Sequence, residues 1–377
     1  MTAYLREHLP PARLFLEKYW QKKPLLARGL PGQLGNALDR ARMIGLACRD
    51  DVESRLVFGA RNTWRVEQGP FRKRDFAQLP PRNWTLLVNG LESVLPAARR
   101  LQQTFSFIPY ARHDDVMASY AVPGGSVGPH FDSYDVILLQ GAGTRRWQIS
   151  RQRDLALVEG APLKILRRFR SQRAWTVHPG DLLYLPPRYA HHGVAIDECI
   201  TWSVGFRAPG RQDMAERFLD FLRDQPRLER AYRDAGLKPQ RHPAVIGKQM
   251  LRQISEMVKA IRWSETDIER CLGLYLTEPR SNVVFGRAQR LSASRFAQLA
   301  GTRGVQLNLK SRMLTSGNTL FINGEFVQTE APTRNTLQRL ADERRLPPHT
   351  RTNTATRALL YEWYRAGYIE LGNPVIE

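Results

Sequence analysis

The 377-residue chain carries 57 Lys and Arg against 36 Asp and Glu, a formal net charge of +21, with 42% hydrophobic residues. That length exceeds one ordinary core and suggests two or three units of roughly 150 residues each. The hydrophobic content excludes a disordered chain, and no apolar run is long enough to cross a membrane. The opening MTAYLREHLPPARLFLEKYW lacks an apolar signal-peptide stretch, so a soluble, cytoplasmic protein is expected.

Cys48, Cys199 and Cys271 have no paired spacing, which argues against a disulfide scaffold and a cysteine-held zinc ribbon. The positive charge is spread over both halves of the chain, with no detachable basic tail. Such a surface serves either contact with RNA or plain solvation. From about Leu5 to Arg112 an amphipathic helical opening gives way to short segments broken by LPGQLGN, QGP and LPPRN. From Asp115 to Arg207 the segments DVMASYAV, YDVILLQG, RRWQIS, AWTVHPGDLLYLPP and GVAIDECITWSVGF, separated by Gly and Pro turns, predict an all-β core.

From Pro209 onward the pattern turns helical, because DMAERFLDFLRD and GKQMLRQISEMVKAIRWS repeat apolar residues every three or four positions. Near Arg280 helices mix with a hairpin, TLFINGEFVQT, whose Asn323-Gly324 pair suits a type I′ turn. The helical TNTATRALLYEWYRAGYIEL closes this part, and helices with a small hairpin predict a winged helix.

Candidate chemistry begins in PGGSVGPHFDSYDVILLQGAGTRRWQIS. Side chains alternate along a strand, so His130 and Asp132 would share one face. By itself the triplet is equally a hydrogen-bonded strand end. A second strand, after HPGDLLYLPPRYA, delivers His191 and His192. Two histidines and one carboxylate on one face of a metal leave neighbouring positions open, the arrangement of non-haem Fe(II) oxygenases. Of Arg145 and Arg146, alternation lets only one enter a barrel.

The H-x-D triplet, YDVILLQGAGTRRW, HPGDLLYLPP, the closing WSVGFRAP and the opening FLEKYWQKKPLLARG resemble the JmjC-type cupin oxygenases. Within that group they are most similar to the bacterial ribosomal oxygenases that hydroxylate an arginine of large-subunit ribosomal protein L-sixteen. The resemblance implies an α+β chain. A double-stranded β-helix, the JmjC cupin jelly roll, would cover residues 1–207 with an N-terminal helical region. A helical dimerisation domain would follow over 208–279 and a winged-helix-like domain over 280–377. It further implies an Fe(II)- and 2-oxoglutarate-dependent dioxygenase that uses O2, forms a homodimer and acts on the β-carbon of an arginine.

Carried over by position, the resemblance places iron on His130, Asp132 and His191. His191 follows two prolines and three further residues as the family's ligand does, and alternation would turn His192 away. Arg145, with Ser119, would hold the distal carboxylate of 2-oxoglutarate; Ala121 stands where the family has a second serine. For a substrate guanidinium, Asp115 shares a strand face with Met117 and Ser119, and Ser203 could add a hydrogen bond. Asp115 could equally cap a turn or pair with Arg112. The dimer is expected through residues 212–261, where Phe218, Leu219, Phe221, Leu222, Met250, Leu251, Ile254, Met257 and Ile261 form an apolar face. Two other functions remain open. One is a JmjC hydroxylase or demethylase of another basic protein. The other is a non-catalytic RNA-binding winged-helix protein, against which the triad and Arg145 argue; ribosomal RNA contact is compatible with all three.

Overall fold

Alternation along the strands between Asp115 and Arg207 decides the architecture, because each strand turns one face to the space between two sheets and the other to a helical layer or to solvent. The computed structural model describes residues 9–29, 37–60, 63–225 and 231–372. Its first eleven strands are β1 (Leu25–Ala27), β2 (Ser54–Ala60), β3 (Thr63–Gln68), β4 (Trp84–Val88), β5 (His113–Ala121), β6 (Asp135–Ala142), β7 (Arg145–Ser150), β8 (Arg173–Val177), β9 (Leu182–Leu185), β10 (Ala190–Ala195) and β11 (Cys199–Phe206). They form an eight-stranded sheet in the order β1-β9-β6-β11-β5-β4-β2-β3, facing a three-stranded sheet β10-β7-β8. All pairings are antiparallel, and the two sheets make the expected jelly roll.

The outer face of the large sheet buries Val116, Ala118 and Tyr120 of β5 with Trp202, Val204 and Phe206 of β11. These pack on Phe15, Met43, Leu46, Leu101 and Phe105 from helices Ala12–Lys18, Arg40–Ala47 and Pro96–Thr104. Trp202 is fully enclosed, so its truncation to Ala would cost about 3–5 kcal/mol. The inner face sends Val136, Leu138, Leu183 and Leu185 against Trp147, Ile149 and Val177 of the small sheet. With a period of two, the residues one place along from each buried outer position must point into the space between the sheets. Asp115, Met117 and Ser119 of β5 therefore line that space.

Two local readings needed correction. AWTVHPGDLLYLPP is split between the sheets, since the His178–Asp181 turn, closed by a 2.9 Å bond from the Asp181 N–H to the His178 carbonyl, separates β8 from β9. His130 and Asp132 lie in the lead-in to β6 instead of on a strand; His130 makes only an isolated bridge with His191.

Beyond the jelly roll come helices Arg211–Arg223, Lys248–Lys259 and Glu265–Thr277. Ser264 caps the last, exchanging bonds with Asp267 at 2.7 and 3.2 Å. The C-terminal part combines helix Ala293–Arg303, β12 (Val305–Leu307), β13 (Met313–Ser316), β14 (Thr319–Ile322), β15 (Glu325–Gln328), helix Ala331–Glu343, β16 (Arg345–Leu346), helix Thr354–Arg365 and β17 (Ile369–Leu371). Phe296, Leu320, Leu337, Leu340, Leu360 and Trp363 form its core. Asn323 and Gly324 both take positive φ, 50° and 83°, as a type I′ turn requires. This is the predicted winged helix. No described helix is long and apolar enough to cross a membrane.

Candidate active site

The space between the sheets gathers His130, Asp132 and His191, with one ligand atom from each lying within 4.8 Å of the others. The backbones of His130 and His191 exchange hydrogen bonds of 3.0 and 2.8 Å, which fixes their rings 4.2 Å apart. The Nδ1 atoms meet the carbonyls of Gly128 and Tyr189, both at 2.9 Å. A carbonyl can only accept, so each Nδ1 carries the proton and each Nε2 offers a lone pair to the centre. Burial, reinforced by His130, pushes the His191 imidazole down to about 4, so it is neutral and competent to bind metal.

The loop geometry explains how Asp132 joins them. Gly128 has φ +82°, and a Cβ there would meet Ile165 at 2.5 Å, so glycine alone suits the turn that carries His130 inward. Arg188 adopts a left-handed φ of 64° and donates its N–H to the carbonyl of Asp132 at 2.7 Å, tying the acid's loop to the turn before His191. The Asp132 carboxylate lies 3.6 Å from the His191 Nε2. His192 points to the opposite side of β10, against Phe169.

Four residues along β10 from His191, Ala195 pairs with Arg145 of β7. Arg145 turns inward and is 4% exposed, while Arg146 is exposed, as alternation predicted. Its Nε and Nη2 are buried without a partner. Such orphaned donors are costly unless an acceptor arrives. The guanidinium stacks 5.7 Å from the Trp147 ring, and Trp147 in turn stands 5.8 Å from His191. Gly193 makes room for that ring, since a Cβ would fall 2.6 Å from it. Ser119 is buried, and its hydroxyl makes a single long bond, 3.5 Å to the Thr201 carbonyl. The site thus pairs a two-His, one-carboxylate donor set with a buried cationic pocket, which fits Fe(II) and a dicarboxylate together.

At the mouth, Asp115 sits where β5 begins. It does not pair with Arg112. Instead its Oδ2 accepts the Gly90 N–H at 3.4 Å and faces Arg280 at 3.5 Å, while Arg112 donates to Asp135 at 3.3 Å. Burial pushes the Asp115 carboxyl up to about 7, against the pull of Arg280 and with the help of Glu92 and Asp114. Its Oδ1 looks toward Gly205 and the neighbouring Tyr134. Ser203 is buried opposite Met117 on the same inner face. Tyr134 was not singled out from sequence. Desolvation first, then Asp132, Asp115 and Asp114, push its phenol up, and its ring edge and the Asp115 Oδ1 both border Gly205. Its place just after the H-x-D triplet was the available signal.

A JmjC domain model matches residues 100–214, and a ROXA-like winged helix model matches residues 260–370. The ribosomal protein uL16 3-hydroxylase of Escherichia coli is 32% identical over 269 residues, 71% of either chain. The chain belongs to the JmjC ribosomal oxygenases. A probable ribosomal oxygenase of Haemophilus influenzae is 43% identical over 218 residues, 56% of this chain; the match spans about half, 53%, of that relative's length. Among solved structures, the ribosomal oxygenase YcfD of Escherichia coli in complex with cobalt and 2-oxoglutarate is similar over 95% of this chain and 97% of that one, with TM-score 0.79 and 28% identity. Membership of this oxygenase family agrees with the jelly roll followed by a winged helix.

Proposed function

We propose that this protein is an Fe(II)- and 2-oxoglutarate-dependent dioxygenase that hydroxylates the β-carbon of an arginine in ribosomal protein uL16. One observation carries the reading: His130, Asp132 and His191 converge beside an inward arginine whose Nε and Nη2 have no partner. The donor set and the cationic pocket are needed together only where a metal and an anionic co-substrate are used together. The uL16 hydroxylase and the 2-oxoglutarate complex among the relatives support the same chemistry.

In this reading His130, Asp132 and His191 would hold Fe(II). Once bound, the metal would supply, with 2-oxoglutarate and O2, the oxidising power for substrate hydroxylation, one oxygen atom going to a substrate carbon and the other into the succinate formed with CO2. The chain does the rest. Arg145 takes the distal carboxylate in two charge-assisted bonds, with the Ser119 hydroxyl as a further donor. Trp147 and the apolar inner faces keep water from the pocket. Asp115 and Ser203 receive the substrate guanidinium, and Tyr134 covers its approach. A chain of net charge +21 repels a basic substrate at long range, so the local attraction must come from the one Asp115 oxygen that Arg280 leaves free.

We further assign the three units as 1–207, 208–279 and 280–377, and a homodimer through residues 212–261. Helix Lys248–Lys259 buries none of its residues and exposes Met250, Leu251, Met257 and Val258, while Leu219 is exposed on helix Arg211–Arg223. An apolar face of that kind usually meets a partner. A cytoplasmic protein that contacts ribosomal RNA through its basic surface accords with a ribosomal substrate. The deciding experiment is mass spectrometry of a uL16 peptide incubated with the protein, Fe(II) and 2-oxoglutarate. The expected product carries one added oxygen on arginine. Succinate formation with an unmodified peptide, or oxygen on another residue, would refute the substrate.

A further inference from the structure

Behind the barrel mouth the jelly roll docks on the winged helix across a cavity of about 40 Å³, lined among others by Arg99, Tyr110, Arg312 and Arg344. Three guanidinium groups from two parts of the chain converge there. Arg99 donates to the Gln102 side chain at 2.6 Å and to the carbonyl of Leu309. Arg312 donates to the carbonyl of Asp114 at 2.9 Å. Arg344 donates to the carbonyls of Ser311 and Asn308 at 3.0 and 2.8 Å. After these bonds the Nε of Arg99 and the Nη1 of Arg312 remain buried without partners.

The neighbouring carboxylates answer the cluster only in part. Glu92 lies 3.9 Å from Arg312, and its charge also supports Arg99 and Arg344, while the same carboxylate accepts the Val116 N–H at 2.8 Å. Asp114 pairs with Arg207 at 3.2 Å and Arg280 at 3.7 Å, and Asp342 holds the amide of Gln338. Burial pushes the Arg99 and Arg344 guanidinium groups down, and Arg99 adds to the effect on Arg344, against the opposing pull of Glu92 and Tyr110. A guanidinium does not shed its proton in a protein, so three such groups facing the single carboxylate of Glu92 call for a further counter-charge.

The size of the space selects the class of anion. At about 40 Å³ the space holds a compact group of a few heavy atoms and is too small for a nucleotide or for 2-oxoglutarate. Planar guanidinium forks match the paired oxygens of an oxyanion better than they match a spherical ion. We propose that this cavity binds one small tetrahedral oxyanion of the inorganic phosphate class, which ties the winged helix to the jelly roll. The proposal is independent of the metal site and of the substrate assignment.

The full-length chain, freed of phosphate, is titrated with inorganic phosphate at constant ionic strength by calorimetry, alongside thermal unfolding. One saturable site per chain is expected, with the unfolding midpoint rising over the same concentration range. Arg312→Gln should weaken that site roughly tenfold or more, the loss of a charge-assisted bond, while Arg312→Lys retains part of it. Many weak sites unchanged in Arg312→Gln, or an equal response to chloride, would overturn the proposal. Should Arg312→Gln not fold, a wild-type crystal soaked in arsenate decides: an anomalous peak in the cavity supports the site, and water alone there overturns it.

Discussion

Replacing Arg145 by Met should stabilise the protein without co-substrate and destroy its affinity for 2-oxoglutarate. The two signs are opposite because the guanidinium is buried with its Nε and Nη2 unpaired. Each unsatisfied buried donor costs about 1–3 kcal/mol. Met fills much of the same volume without polar atoms. Against that gain stands the lost stacking on Trp147 at 5.7 Å, worth roughly 0.5–2 kcal/mol. The balance favours the variant by about 1 kcal/mol or more. In the complex, two charge-assisted bonds of about 1.5–3 kcal/mol each disappear, which is roughly two to four decades in affinity. Thermal unfolding with Mn(II), with and without 2-oxoglutarate, reads both effects. The parent midpoint should rise on adding the co-substrate, and the variant should start higher and stay flat. A variant that starts lower, or that keeps the parent KM for 2-oxoglutarate, refutes the assignment of this pocket.

His130→Ala and Asp132→Ala should each abolish metal binding, read by calorimetric titration, and succinate production, while their circular dichroism stays that of the parent. For Asp115, whose carboxyl burial pushes up to about 7, deprotonation is the form that binds a guanidinium, so the KM for a uL16 peptide should fall as pH rises through about 7. Asp115→Asn should show a high KM with no such dependence while uncoupled 2-oxoglutarate turnover persists. Gly193→Ala should cost about 1–3 kcal/mol in chemical denaturation and reduce turnover, because its Cβ displaces the Trp147 ring that orders Arg145 and His191. Light scattering should give the mass of two chains, and Leu251→Glu should give one.

The jelly roll was legible because its strands obey one rule. In the large sheet, alternate residues turn to a helix-covered core and to the space between the sheets, so YDVILLQG and DLLYLPP announce two faces at once. The Asn323-Gly324 turn was legible for a different reason, since few residue pairs tolerate two successive positive φ angles. Strand membership was less legible. In AWTVHPGDLLYLPP the turn at HPGD was legible, but nothing in the pattern told that the chain crosses there from one sheet to the other, at Gly180 with φ +92°.

Within the site, His130, Asp132 and Arg145 come from the family resemblance, since alternation alone leaves Arg145 and Arg146 open, whereas the partner of Asp115 comes from the far side of the helical region. Arg112 stood three residues away and was the obvious partner. Its guanidinium goes to Asp135 instead, which has no exposure at all and also receives the Tyr184 hydroxyl at 2.6 Å and the Gln21 amide at 3.0 Å. The completely buried carboxylate has the greater desolvation cost to offset, so the nearby cation serves it, packed over Trp20 at 5.3 Å. Asp115 is left to Arg280 at 3.5 Å, a longer contact that engages one oxygen and leaves the other facing the mouth. A carboxylate answered by so loose an internal partner retains the capacity to take a second guanidinium. That capacity is what the proposed arginine substrate requires, and it arises because the local arginine was drawn to a more deeply buried acid.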